Sequence, residues 1–138
     1  MTILDTNVVS EMMRSVPEPS VLRWFANLAN EDAHVTAVTL GEILLGIELL
    51  PTGRRREVLR AGAESTFAVF AGRVLPFDEK AAPVFSSLSS TRRKQGKPIS
   101  QFDAQIAAIA RAHSATLATR NTSDFEGCGV RLVNPWEG

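Results

Sequence analysis

With 138 residues, 44% of them hydrophobic and 22% charged, and with 15 basic against 15 acidic side chains, the chain has an ordinary globular composition. It is long enough for a single domain over 1–138 that buries about two-thirds of its unfolded surface. A net charge of zero carries no global signature of a nucleic-acid binder, no apolar run approaches the roughly 20 residues that cross a bilayer, and the lone Cys128 excludes an internal disulfide.

In chain order, Thr2-Ile3-Leu4 is apolar and β-prone, the polar run Asp5-Thr6-Asn7 interrupts it, and Val8-Val9 resume. Ligands of open α/β sheets gather beyond the carboxyl ends of the strands, so Asp5 is the first residue suspected of chemistry. No charged-then-apolar leader is seen ahead of this strand, and the expected location is cytoplasmic, with no membrane partner. Val8 to about Met13 reads as a short helix broken near Pro17. Pro19-Ser20 opens a second helix, with Val21, Leu22, Trp24, Phe25 and Leu28 on its apolar face. After a loop at Asn30-Glu31-Asp32, His34-Val35-Thr36 is a short strand. Thr39 to Leu50 is then a helix in which Ile43, Leu44, Ile47 and Leu50 share one face.

Arg54 to Phe70 reads as a third long helix, with Val58, Leu59, Phe67 and Phe70 facing the core. Arg73-Val74-Leu75-Pro76 is a strand that its proline confines to an edge or a terminus. Asp78-Glu79 caps a helix to about Gln95, whose basic end complements the helix dipole. Ser100 then starts a helix to His113 with Ala104, Ala107, Ala108, Ala110 and Ala112, small residues suited to close packing. Ala115 to Thr119 is a strand, Arg120 to Phe125 a polar turn, and Val130 to Val133 the last strand. Strands alternating with helices predict parallel βαβ units covered on both faces. The expected fold is α/β, a three-layer α/β/α sandwich around a mostly parallel sheet of about five short strands.

Four acids stand at chemically useful places: Asp5 and Asp124 just past strands, Glu42 and Asp103 about one turn into helices. Such hard oxygen ligands suit Mg²⁺ or Mn²⁺, which activates water and neutralises charge on a phosphoryl group. Each acid also has an ordinary structural role. Asp5 and Asn7 fit Asx turns or a cap, Thr39 to Glu42 fits a capping box with Ser100 to Asp103 as its near relative, and Asp124 fits the cap of a short turn. The two roles are compatible, because a helix start fixes a carboxylate rigidly. Pattern alone leaves their convergence open. Local positive charge at Arg54, Arg55 and Arg56, and at Arg92, Arg93 and Lys94, suits phosphate, an acidic partner or solvent. His34 and His113 fall into no metal-ligand spacing, and no Walker loop or G-x-S-x-G elbow is present.

Four segments together resemble a PIN domain, and specifically the VapC/FitB type of bacterial toxin nuclease. They are Leu4-Asp-Thr-Asn7 with Val8-Val9-Ser10-Glu11, Thr39-Leu-Gly-Glu-Ile-Leu-Leu-Gly46, Pro98-Ile-Ser-Gln-Phe-Asp-Ala-Gln-Ile-Ala-Ala-Ile-Ala110, and Ala118-Thr-Arg-Asn-Thr-Ser-Asp-Phe125 followed by Asn134-Pro135-Trp136. The likeness runs in order to about residue 136. The departure is Gln101-Phe102, bulkier than the family pattern before its third acid, which bears on the shape of that loop.

The resemblance implies that Asp5, Glu42, Asp103 and Asp124 form one acidic Mg²⁺ or Mn²⁺ site, with Thr6, Asn7, Thr119 and Asn121 as polar supports. It implies an endoribonuclease that cuts RNA, often tRNA, by in-line attack of a metal-activated water. The two basic clusters would hold RNA or face a partner. Such proteins are silenced by a cognate antitoxin, usually form homodimers, and meet promoter DNA only through the antitoxin. Two other enzyme or signalling classes fail on residues. A haloacid-dehalogenase-like phosphatase needs a second acid where Asn7 stands, and a receiver domain needs an acidic pair and a late lysine. The alternative that keeps the fold is a catalytically silent PIN-like module that binds RNA or antitoxin.

Overall fold

The computed structural model describes residues 1–137. Five short strands, β1 (Thr2–Leu4), β2 (Ala33–Thr36), β3 (Val74–Leu75), β4 (Thr116–Ala118) and β5 (Arg131–Val133), form one sheet in the order β3-β2-β1-β4-β5. Every pairing is parallel, with Thr2 beside Ala33 on one side and beside Thr116 on the other. Six helices connect them: α1 (Thr6–Met12), α2 (Pro19–Ala26), α3 (Ala37–Glu48), α4 (Arg54–Val69), α5 (Ala81–Lys94) and α6 (Gln101–Ala112).

Successive strand side chains point to opposite faces, and this alternation divides the core in two. Ile3 and Leu117 pack with Ala81 and Leu88 of α5 and the alanines of α6 on one face. Leu4, Val35 and Ala118 pack with Val8 and Val9 of α1, Ile43 and Ile47 of α3, and Phe67 of α4 on the other. Each fully buried isoleucine or leucine contributes about 1.5–3 kcal/mol. The three-layer α/β expectation therefore holds, with a sheet that is parallel throughout.

Side-chain caps start the helices that matter to the site. Asp5 Oδ1 accepts the Thr6 N–H at 2.8 Å, Thr36 Oγ1 accepts the Thr39 N–H at 3.0 Å, and Ser100 Oγ accepts the Asp103 N–H at 3.2 Å. The capping box expected at Thr39 to Glu42 is thus displaced. β2 runs straight into α3 without a loop, so its last residue, Thr36, is the cap, and the Thr39 hydroxyl is left for other work. The α4 core also differs from expectation. Leu59, Ala63, Phe67 and Phe70 face inward at helical spacing, and Val58, one position off that stripe, is 58% exposed.

Candidate functional site

Sheet order reverses direction at β1, which lies between β2 and β4, so the crevice of this fold opens beyond the carboxyl ends of β1 and β4. Asp5 follows β1 there and is 3% exposed. The Thr119 hydroxyl, from the residue just past β4, donates to Asp5 Oδ2 at 2.9 Å, and the Asp5 N–H donates to the Ala118 carbonyl at 2.9 Å. The first acid is fixed from both strands at once.

Glu42 is placed by a line of hydroxyls. A carboxylate only accepts, so the Thr6 hydroxyl donates to Glu42 Oε1 at 2.8 Å. Thr39 must then donate to Thr6 Oγ1, at 3.1 Å, and Thr36 donates to Thr39 Oγ1 at 3.3 Å. Each hydroxyl donates once toward the acid, and Thr36 and Thr39 are fully buried. Asp103 enters from the first turn of α6. Asp124 lies on the short 3-10 turn Thr122–Phe125 after β4, its side chain exposed.

The acids sense one another. Burial pushes the Asp5 carboxyl up to about 6, with the charges of Asp103 and Glu42 adding to it, although the hydrogen bonds from Thr119 and Thr6 oppose the shift. Glu42 is raised by burial and by the charge of Asp103, against the bond from Thr6. Asp103 is raised by burial and by Asp124, against its contact with Ser100. No ion pair reaches any of the four among the described residues. Among those residues no three such side chains are gathered closely enough to hold a metal ion as they stand, a separation that like charges favour. The donor chemistry, hard carboxylate oxygens without a cationic partner, fits Mg²⁺ or Mn²⁺.

The basic runs separate on folding. Arg92, expected at the surface with RNA or a partner, is 7% exposed. Its guanidinium donates to the carbonyls of Lys97 at 2.7 Å, Asp124 at 2.8 Å and Glu126 at 3.0 Å. It therefore clamps the turn that carries Asp124 to the loop ahead of α6, and it is corrected from a surface ligand to an internal strut. Its place on the buried stripe Ala81, Leu88 and Arg92 is the sequence signal that reveals this. Arg93 and Lys94 are exposed. Arg54 and Arg55 are exposed too, whereas Arg56 pairs with Glu48 at 2.5 Å.

Two clefts flank the acid centre, one on each side of α1. An apolar cleft of about 370 Å³ runs from Thr6 and Glu42 past Met13, Ile43, Ile47 and Leu59. A polar cleft of about 490 Å³ includes Asn7, Arg14, Arg120, Asn121 and Trp136. The hydroxyls of Thr36 and Thr39 and the pair Arg120–Trp136 were missed by sequence reasoning. The spacing Thr36, Thr39, Glu42 on one helix face was a readable sign of the first.

Comparison with known proteins agrees with this architecture. Residues 2–127 match the PIN domain family. The chain is 42% identical to Toxin FitB of Neisseria gonorrhoeae over 137 residues, covering 99% of each. It is 39% identical to VapC ribonuclease Y4jK of Sinorhizobium fredii over 138 residues, again covering 99% of each. A solved structure of FitAB bound to an IR36 DNA fragment superposes with a TM-score of 0.90 at 42% identity, covering 99% of this chain and 96% of that one.

Proposed function

This chain belongs to the PIN domain family, and from that premise we propose that it is the endoribonuclease toxin of a toxin–antitoxin pair. The observation that carries the reading is the buried, doubly anchored Asp5 at the sheet's switch point, within electrostatic reach of Glu42 and Asp103. A structural acid in that position would be paired with a cation, because burying an uncompensated carboxylate is costly. Here hydrogen bonds from Thr6 and Thr119 offset only part of that cost and no cationic side chain pairs with Asp5 among the described residues, which supports a cation-binding role.

Asp5, Glu42, Asp103 and Asp124 would hold Mg²⁺ or Mn²⁺, which when bound supplies positive charge opposite a phosphoryl group and lowers the pKa of water. The chain's own contribution is placement. Thr119 and the Thr6 N–H fix both oxygens of Asp5, and the hydroxyl line from Thr36 fixes one oxygen of Glu42 and leaves its other free of protein hydrogen bonds. Arg92 fixes the Asp124 turn through its backbone, so the Asp124 carboxylate remains available. Preorganised ligands of this kind lower the reorganisation that a charged transition state demands. The relatives named FitB and VapC, and the FitAB complex, support an antitoxin as protein partner. No helix among the described residues is long and apolar enough to cross a membrane.

The test is incubation of antitoxin-free protein with a mixed tRNA and total-RNA pool in Mn²⁺ or Mg²⁺, then in EDTA, beside Asp103→Asn. Cleavage that requires the metal and vanishes in the variant supports the reading. Cleavage that survives the substitution overturns the assigned site. Folded, Mn²⁺-binding protein that cuts nothing supports the silent RNA- or antitoxin-binding module instead.

A further inference from the structure

Resting on the ribonuclease reading, we propose that the polar cleft on the far side of α1 is a substrate subsite, in which Arg120 binds an RNA phosphate adjoining the one that is cut. Arg120 directly follows Thr119, the hydroxyl donor to Asp5, so the cleft begins where the acid centre ends. Its guanidinium lies over the Trp136 ring, 5.0 Å from the centroid, and no carboxylate pairs with it among the described residues. A guanidinium stacked on an indole keeps its in-plane N–H donors turned outward, the geometry that grips phosphate with two parallel bonds.

The pair is held in place rather than left to chance. Asn134 Oδ1 accepts the Trp136 N–H at 2.9 Å, and its Nδ2 donates to the Arg120 carbonyl at 3.4 Å. One side chain thus ties the turn after β5 to the second residue past β4. Trp136 also packs against the core on the α1 side of the sheet, which anchors the ring.

The remaining cleft residues fit a nucleotide. Arg14 is occupied by Glu11, with its Nη1 3.0 Å from Oε2, so these two charges cancel and Arg120 sets the sign. Asn7 and Asn121 are exposed at the rim, and their side-chain amides make no hydrogen bond among the described residues. Each offers a donor and an acceptor to a ribose hydroxyl or a base edge. The opposite cleft shares Ser10 and Arg14 with this one, but its remaining lining is Thr6, Glu42, Gly46 and apolar side chains, with no unpaired cation and no amide.

The experiment measures binding of a short, labelled, mixed-sequence oligoribonucleotide to full-length, antitoxin-free protein in EDTA across a salt series, with Mn²⁺ affinity determined separately. Arg120→Ala should weaken RNA binding about tenfold at low salt and reduce the slope of log affinity against log salt by about 0.7. Its Mn²⁺ affinity should stay at the wild-type value. Arg120→Lys should keep the slope and recover only part of the affinity, and Trp136→Leu should lower affinity with the slope unchanged. Arg131→Ala, at an exposed cation on the amino end of β5 and so at the opposite end of the sheet from the cleft, should change neither. Unaltered affinity and slope in Arg120→Ala, or an equal loss in Arg131→Ala, would overturn the subsite while leaving the ribonuclease reading intact. Loss of antitoxin binding with RNA binding retained would give the cleft to protein and overturn it equally. Wild-type protein that binds no RNA would remove the ribonuclease reading and the subsite with it.

Discussion

The two sides of α1 are built from different materials. Toward α3 and α4, helices set Met13, Ile43, Ile47 and Leu59 around an apolar cleft. Toward β4 and the turn after β5, strand ends bring Asn7, Arg120, Asn121 and Trp136 together. Helix faces present periodic apolar stripes, which suit the flat, water-excluding contacts of a protein partner. Strand ends present isolated polar groups at a sheet's rim, which suit a charged ligand. The acid centre lies between them, with Glu42 on the apolar rim and Asn7, two residues beyond Asp5, on the polar rim.

The largest effect expected is at the centre itself. Asp5→Asn should lower RNA cleavage by at least about 100-fold, since it removes a charged ligand that acts on the transition state. In the metal-free protein the same change should raise stability at neutral pH. The Asp5 carboxyl titrates near 3.8 when unfolded and at about 6 when folded, so between those values the folded state holds the extra proton. Stability from this group is full below about pH 4 and is lost as pH rises through 6, by about 3 kcal/mol. Thermal melts from pH 4 to 7 should fall more steeply for the wild type than for Asp5→Asn, which keeps the raised carboxyls of Glu42 and Asp103. A fall as steep in Asp5→Asn as in the wild type contradicts the assignment.

A smaller but comparable loss should follow from Arg92→Met, which keeps the volume of the stem and leaves three carbonyls without their donor. At about 1–3 kcal/mol for a buried group deprived of its partner, a drop of a few kcal/mol in chemical denaturation is expected, together with weaker Mn²⁺ binding. Denaturation and Mn²⁺ affinity at wild-type values would remove the strut.

Gly46→Glu addresses the apolar side alone, because Gly46 is exposed on that cleft and a Cβ there meets nothing within 4 Å. A charge on that wall should weaken antitoxin binding by about tenfold or more, on the scale of a residue truncated at an interface centre, and should leave oligoribonucleotide affinity unchanged. Equal effects on both ligands would merge the two clefts into one. The smallest effect is at Glu48, which holds Arg56 and Arg60 at the exposed start of α4. Such surface pairs contribute little, so Glu48→Gln should leave cleavage and the melting temperature as they are.

Much of this was legible from local pattern. The alternation of Ile3 with Leu4 and of Leu117 with Ala118, between runs at helical spacing, is enough to predict a covered parallel sheet. The caps at Asp5 and Ser100 follow from residue type. Thr39 was misassigned because the boundary of β2 lies one residue from the start of α3, closer than the pattern resolves. Arg92 read as surface charge because it stands in a basic run, although its register with Ala81 and Leu88 places it on the buried face. Arg120 and Trp136 were out of reach for a different reason. They meet only because β4 and β5 are neighbours in the sheet, and strand order is not written in any local stretch of sequence.

The central claim is that four carboxylates from four separate segments act as one cation site. Calorimetric titration of Mn²⁺ into antitoxin-free protein, repeated for Asp5→Asn, Glu42→Gln, Asp103→Asn and Asp124→Asn, tests it most directly. Binding should be measurable in the wild type and weaker in every variant while each remains folded. Mn²⁺ affinity unchanged by all four substitutions would contradict it.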